Sequence, residues 1–143
     1  MTQDGEYLFV YGTLREDVGH DMFRIVAANA SRFGNATVCG SLYSLGDYPA
    51  LVPNADASHV VKGELYRLHD ATVQRTLDVL DEYEGLGPEE REPHAYRREL
   101  VSATLRDGRR YNAWAYVLNR SIEGLRRIES GDFAEWRQSG RSA

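Results

Sequence analysis

Apolar and polar positions along this chain change period several times, and each change marks an element. Residues Tyr7 to Tyr11, reading YLFVY, are all aromatic or aliphatic and run into Gly12, the pattern of a buried strand that ends in a turn. From His20 to Ala30 the apolar side chains Met22, Phe23, Val26 and Ala30 recur at helical spacing before Gly34 breaks the series, which predicts a short helix. Ala36 to Leu45 and Val60 to Leu68 have strand composition. Between them Asp47-Tyr48-Pro49-Ala50-Leu51 reads as a loop, because the proline biases Tyr48 toward an extended or turn conformation.

A second helix is predicted from Asp70 to Glu84, with Asp70 as N-cap, Val73, Leu77 and Leu80 as its apolar stripe and Gly85 as its stop. Leu86 to His94 then turns to Gly, Pro and the charged run Glu89-Glu90-Arg91-Glu92, the composition of an exposed loop. Tyr96 to Leu105 and Tyr111 to Leu118 are strand-like and flank Arg106-Asp107-Gly108-Arg109, where Asp-Gly signals a hairpin. The order is β-α-β-β-α-β-β with a short helical tail. It predicts one α+β domain over residues 1–143, with a sheet able to curl into a small barrel.

Composition narrows the function classes. Apolar residues make up 42% and charged residues 27% of 143, ordinary globular usage at a length that buries roughly 68–70% of the unfolded surface. The net charge of -5 comes without a basic stripe, so no nucleic-acid partner is expected. Cys39 is the only cysteine, which leaves no internal disulfide and no Cys-based metal framework. The N-terminus is acidic rather than basic and apolar, and no run is long enough to span a bilayer; a cytoplasmic protein without membrane contact is expected.

Glu84 is the candidate with most chemistry. At about 100° per residue it projects within roughly 20° of Val73 and lies one turn after Leu80, so it shares the apolar face, whereas Asp78, Asp81 and Glu82 fall off the stripe and are expected in water. An inward carboxylate at a helix C-terminus is disfavoured as the anion by desolvation and by the helix dipole. Both raise its pKa toward the range of about 6–7 that a proton shuttle requires. Residue type and position also fit a partly exposed cap ahead of Gly85, the commoner role of a helix-terminal glutamate. Tyr11-Gly12-Thr13-Leu14 offers backbone N–H groups after a strand, with Gly12 permitting close approach of a ligand; such a turn can hold a carboxylate or be only a turn.

Other groups carry less. His20, His59, His69 and His94 lack the spacing of a helical metal pair and are read as structural or surface residues. Cys39 is read as a small buried hydrophobe, and Arg97 and Arg98 as surface residues of which one could face a carboxylate near the cavity.

In order, YLFVYGTLR, GSLYSLGDYPALV, VKGELYRL, LDVLDEYEG, YRRELVSATL and AWAYVL resemble the γ-glutamylcyclotransferase-like proteins, including the γ-glutamylamine cyclotransferase and AIG2-like branches, over nearly the whole chain. The sharpest pieces are YGTLR and the Glu-Gly pair after the helix. The resemblance implies a small mixed β-barrel flanked by short helices. It implies Glu84 as catalytic acid/base, Tyr11, Gly12, Thr13 and Leu14 as substrate cradle, and Tyr48 and Tyr116 as cavity-lining aromatics. It also implies a metal- and cofactor-independent enzyme of the acyltransferase/lyase type that acts on a small γ-glutamyl substrate, closing it to 5-oxoproline and freeing an amine. The loop from Leu86 to Ala95 is more charged than the family pattern, which puts the variable part of the substrate in doubt. The reading from another class is a non-catalytic protein that keeps a γ-glutamyl pocket.

Overall fold

The computed structural model describes residues 5–12, 23–46, 48–54, 58–86 and 95–138. The first strand, β1 (Tyr7–Val10), is buried at every residue because it has partners on both edges: β4 (Val60–Leu68), antiparallel, and β6 (Arg110–Leu118), parallel. That explains a run without alternation. The long strand β2 (Ala30–Ser44) pairs with β4 along its first part, and β5 (Tyr96–Leu105) pairs with both β2 and β6. The circuit β1, β4, β2, β5, β6 thereby closes on itself as a five-stranded mixed barrel.

Side-chain parity sorts the residues onto two faces. Tyr7, Phe9, Val38, Leu65, Val101, Ala103, Ala115 and Val117 fill the barrel interior, while Leu8, Val10, Tyr66, Leu68 and Tyr116 face outward under the helices α1 (Phe23–Asn29) and α2 (Val73–Tyr83). Gly63 stands where β4 lies tight against the end of β1: a Cβ there would lie 2.2 Å from the Val10 carbonyl oxygen and 2.7 Å from the Phe9 ring. At one end, Phe133 of α3 (Phe133–Gln138) is fully buried and joins the interior cluster.

Several boundaries differ from the sequence reading. β2 begins at Ala30, six residues before Ala36, because its first residues are held by the ladder to β4 although their side chains are largely exposed; hydrophobic pattern is silent on such a stretch. The segment read as a loop around Pro49 is a strand, β3 (Pro49–Pro53), antiparallel to β2 and meeting β6 at Leu51 and Val117. Its prolines sit at its two ends. Asp70 is not the helix N-cap: it opens a single 3₁₀ turn (Asp70–Thr72), α2 starts after Thr72, and the Asp70 carboxylate pairs with Arg67 at 3.7 Å.

The predicted stop and hairpin are present. Gly85 has φ 82°, with the Gly85 N–H donating to Glu82 O and the Leu86 N–H to Asp81 O, the paired bonds of a Schellman motif that makes Glu84 the C-cap. In the β5–β6 hairpin Gly108 has φ 91°, and Asp107 accepts a hydrogen bond from the Arg109 N–H. Cys39 lies half-buried in β2 and is unpaired, and His59 and His69 are exposed. His20 and His94 lie outside the described residues.

Candidate active site

The C-cap of α2, the end of β1, the start of β3 and the first residue of β5 converge on one cavity. Tyr11 and Gly12 reach it directly from β1, Tyr48 and Pro49 border it at β3, and Tyr96 and Tyr116 come from the neighbouring strands β5 and β6. Glu84 completes the wall. Helix geometry sets its position: the Glu84 N–H donates to Leu80 O at 2.9 Å, and Leu80 is fully buried beside Leu77. The residue is half-buried, and among the described residues its carboxylate has no hydrogen bond or salt bridge. Burial therefore pushes it up to about 7 from an ordinary value of 4.5.

The tyrosines are held by specific bonds. The Tyr11 hydroxyl donates to the backbone carbonyl of Tyr116 and accepts the Leu51 N–H at 3.1 Å. Tyr96 donates to the Pro49 carbonyl at 2.7 Å, and Tyr116 donates to Asp81 Oδ1 at 2.7 Å. All three phenols are pushed well above their ordinary value, chiefly by burial and in each case also by the nearby Glu84. They stay protonated at physiological pH. Tyr48 is the most open of the set, 53% exposed at the rim, and with Tyr83, Glu84 and Tyr96 it borders an adjoining groove.

The expected residues Tyr11, Gly12, Tyr48, Glu84 and Tyr116 are thus brought together, whereas Thr13 and Leu14, and the loop over residues 87–94, lie outside the described residues. The placement of Asp81 in water is overturned. It is half-buried and accepts two bonds from Arg98, at 2.8 Å and 3.3 Å, besides the one from Tyr116. Arg98 correspondingly leaves the surface and lies over the Trp114 ring at 4.6 Å. Sequence pattern does not single out Tyr96 or Asp81 as site residues, and it leaves open which of Arg97 and Arg98 faces a carboxylate near the cavity; Arg98 does. The available signals were that Asp81 precedes Glu84 by three residues, hence on the same side of the helix, and that Tyr96 and Arg98 alternate onto one face of a strand. Among the described residues no three His, Cys, Asp or Glu side chains are grouped as metal ligands, and no helix is long and apolar enough to cross a membrane.

Comparison with known proteins agrees with this architecture. Residues 8–137 match the sequence model of the family described as gamma-glutamyl cyclotransferase, AIG2-like. The chain is 36% identical over 129 residues to the gamma-glutamylcyclotransferase family protein YtfP of Escherichia coli K12, covering 90% of this chain and 96% of that protein. The solution structure of the E. coli protein superimposes with a TM-score of 0.57 over 88% of this chain and 94% of its own. The gamma-L-glutamyl-butirosin B gamma-glutamyl cyclotransferase of Niallia circulans is 33% identical over 132 residues, 92% of this chain and 75% of that one. An AIG2-like protein of Mus musculus shares the fold with a TM-score of 0.61 at 19% identity, over 89% and 88% of the two chains.

Proposed function

The chain belongs to the gamma-glutamyl cyclotransferase, AIG2-like family, and from that premise we propose that it cyclises a small γ-glutamyl compound to 5-oxoproline with release of the acylated amine. The observation that carries this reading is Glu84: a carboxylate without a salt-bridge partner among the described residues, raised to about 7 and lining a cavity walled by tyrosines. A group with that pKa both accepts and returns a proton near neutrality.

The substrate supplies its own nucleophile. Glu84 takes a proton from the α-ammonium, and the freed amine attacks the γ-carbonyl carbon. The new C–N bond closes the five-membered ring, and the proton held by Glu84 passes to the departing nitrogen as the old C–N bond breaks. The ring nitrogen gives up its second proton through Glu84 to the freed amine, which leaves as an ammonium beside the neutral lactam of 5-oxoproline. Neither a nucleophilic side chain nor a metal has a role in this sequence of steps. Holding the flexible glutamyl chain folded is the larger task, since well-oriented intramolecular attack lowers a barrier by about 7–11 kcal/mol. In this reading the α-carboxylate lies at the Gly12 end of the cavity, and the groove bordered by Tyr48 and Tyr83 receives the departing amine.

The test is direct. Purified protein incubated with γ-glutamylamines, γ-glutamyl amino acids and γ-glutamyl peptides is assayed for 5-oxoproline and free amine in equal amounts. Stoichiometric release from at least one class is expected. Binding of the panel without 5-oxoproline would leave a non-catalytic γ-glutamyl-binding protein in place of the enzyme.

A further inference from the structure

Three phenols line the cavity, and the hydroxyl proton of each is already engaged with protein. Tyr11 donates to the Tyr116 carbonyl, Tyr96 to the Pro49 carbonyl at 2.7 Å and Tyr116 to Asp81 at 2.7 Å. The first two partners are backbone carbonyls, which only accept, so the direction of those bonds is fixed. The third is fixed by Arg98, whose two bonds to Asp81, at 2.8 Å and 3.3 Å, present the carboxylate as an acceptor toward Tyr116. A phenol has one proton and two lone pairs. With its proton turned into the protein, each oxygen can offer the cavity only lone pairs, and the Tyr11 oxygen already gives one of its two to the Leu51 N–H.

We infer that Tyr96 and Tyr116, beside Glu84, form an acceptor-only seat that recognises a primary ammonium group, and that Asp81, held by Arg98, is the positioning residue that fixes this polarity. The inference rests on the γ-glutamyl reading, in which that group is the substrate's α-ammonium. An ammonium brings three donors to a wall of lone pairs, whereas a carboxylate would meet like-signed oxygens on the same wall. The arrangement therefore also orients the substrate: the α-carboxylate is turned away toward the Gly12 end, and the amine is left beside Glu84. Burial keeps the phenols protonated, so the direction of the bonds persists across the working pH range. Arg98 and Tyr116 are direct cross-strand partners, so β5 and β6 deliver both to Asp81 together.

The experiment uses a Glu84→Gln background, in which turnover is expected to be too slow to consume the probe during titration, and two probes that differ only in the α-ammonium: γ-glutamylmethylamide and the corresponding glutaryl methylamide. Affinities are read by calorimetry. In this background γ-glutamylmethylamide should bind more tightly than the glutaryl probe. Adding Tyr116→Phe should weaken γ-glutamylmethylamide about ten- to a hundredfold, the range for losing a hydrogen bond to a charged group, and leave the glutaryl probe within about twofold. Asp81→Asn should shift the same ratio in the same direction, because an amide no longer holds the Tyr116 proton in one direction. A purely structural role for Asp81 would weaken both probes alike. Equal losses for both probes, or no change in either, overturn the seat while the γ-glutamyl reading stands. If neither probe binds the Glu84→Gln protein, the γ-glutamyl reading and the seat fall together.

Discussion

Leu80 and Glu84 are joined by the last α-helical hydrogen bond of α2, the Glu84 N–H donating to Leu80 O at 2.9 Å, and the full burial of Leu80 carries the glutamate side chain to the cavity wall. The Schellman bonds that follow end the helix at that point, so Glu84 stands at the junction of the inner cavity and the groove beside Tyr83. One carboxylate is therefore within reach of both sides of a scissile bond placed between them.

Replacing Glu84 by Gln keeps the size and the hydrogen-bonding reach but removes proton transfer. Turnover should fall by about 10²–10⁴-fold or more with substrate binding retained. Glu82→Gln, at an exposed position two residues earlier, should be nearly silent. Full kinetics for both variants decide the matter: wild-type kcat in Glu84→Gln would falsify the acid/base role, and equal losses in both would assign the role to a different group.

Much of the barrel was legible because its strands bury one or both faces. β1, β4, β5 and β6 advertise themselves by aliphatic and aromatic runs, and the end of α2 by the Glu-Gly pair. What escaped was held by interactions that leave no local pattern. The first residues of β2 are exposed and exist as strand because β4 supplies their partners. β3 is five residues long with proline at both ends, so its composition argues for a turn while its register with β2 makes it a strand. Asp81 lies off the apolar stripe of α2, which by pattern alone places it in water; its burial depends on Arg98 and Tyr116, which arrive from β5 and β6. Helical periodicity reports how a helix meets apolar neighbours and is blind to a charge partner from elsewhere in the chain.

Cys39 offers a control for the nucleophile. It lies in β2, half-buried, and is not among the residues that line the cavity with Glu84. If the substrate amine is the nucleophile, Cys39→Ser should leave kcat/KM within a few-fold of wild type, and thiol alkylation should act no more strongly. Loss of turnover in Cys39→Ser with the fold intact by circular dichroism would point to covalent chemistry through the thiol.

Gly63→Ala tests how tightly the barrel holds β1 against β4. The new methyl would sit 2.2 Å from Val10 O and 2.7 Å from the Phe9 ring, and the first of these is backbone that cannot rotate aside. Overpacking of this kind costs about 1–3 kcal/mol or more. Because β1 leads directly into Tyr11 and Gly12, the displacement should also reach the cavity. A lowered denaturant midpoint together with a raised KM is the expected result; unchanged stability would mean that the strands separate more easily than their packing implies.

The same feature that suits Glu84 to proton transfer should cost stability, with a sign that pH reveals. Its folded-state value is raised from 4.5 to about 7, so the native protein binds this proton more tightly than the unfolded chain does. The stabilisation from that proton is fully present below pH 4.5 and is lost as pH rises through about 7. At about 1.36 kcal/mol per pKa unit the loss reaches an upper limit of about 3 kcal/mol. The titratable groups around Glu84 are Tyr11, Tyr48, Tyr83, Tyr96 and Tyr116, with the Asp81–Arg98 pair behind Tyr116. The three phenols held by hydrogen bonds are raised further from their ordinary range, so they do not titrate in this window. Glu84→Gln carries no titrating group there and should match wild type in stability near pH 4.5, then exceed it increasingly up to pH 8. Urea midpoints for both proteins across this range check the sign, and kcat/KM of the wild type should rise over the same interval as the base form of Glu84 appears. A stability gap that stayed constant with pH would place the Glu84 carboxylate in water and remove the physical basis for its role as a base.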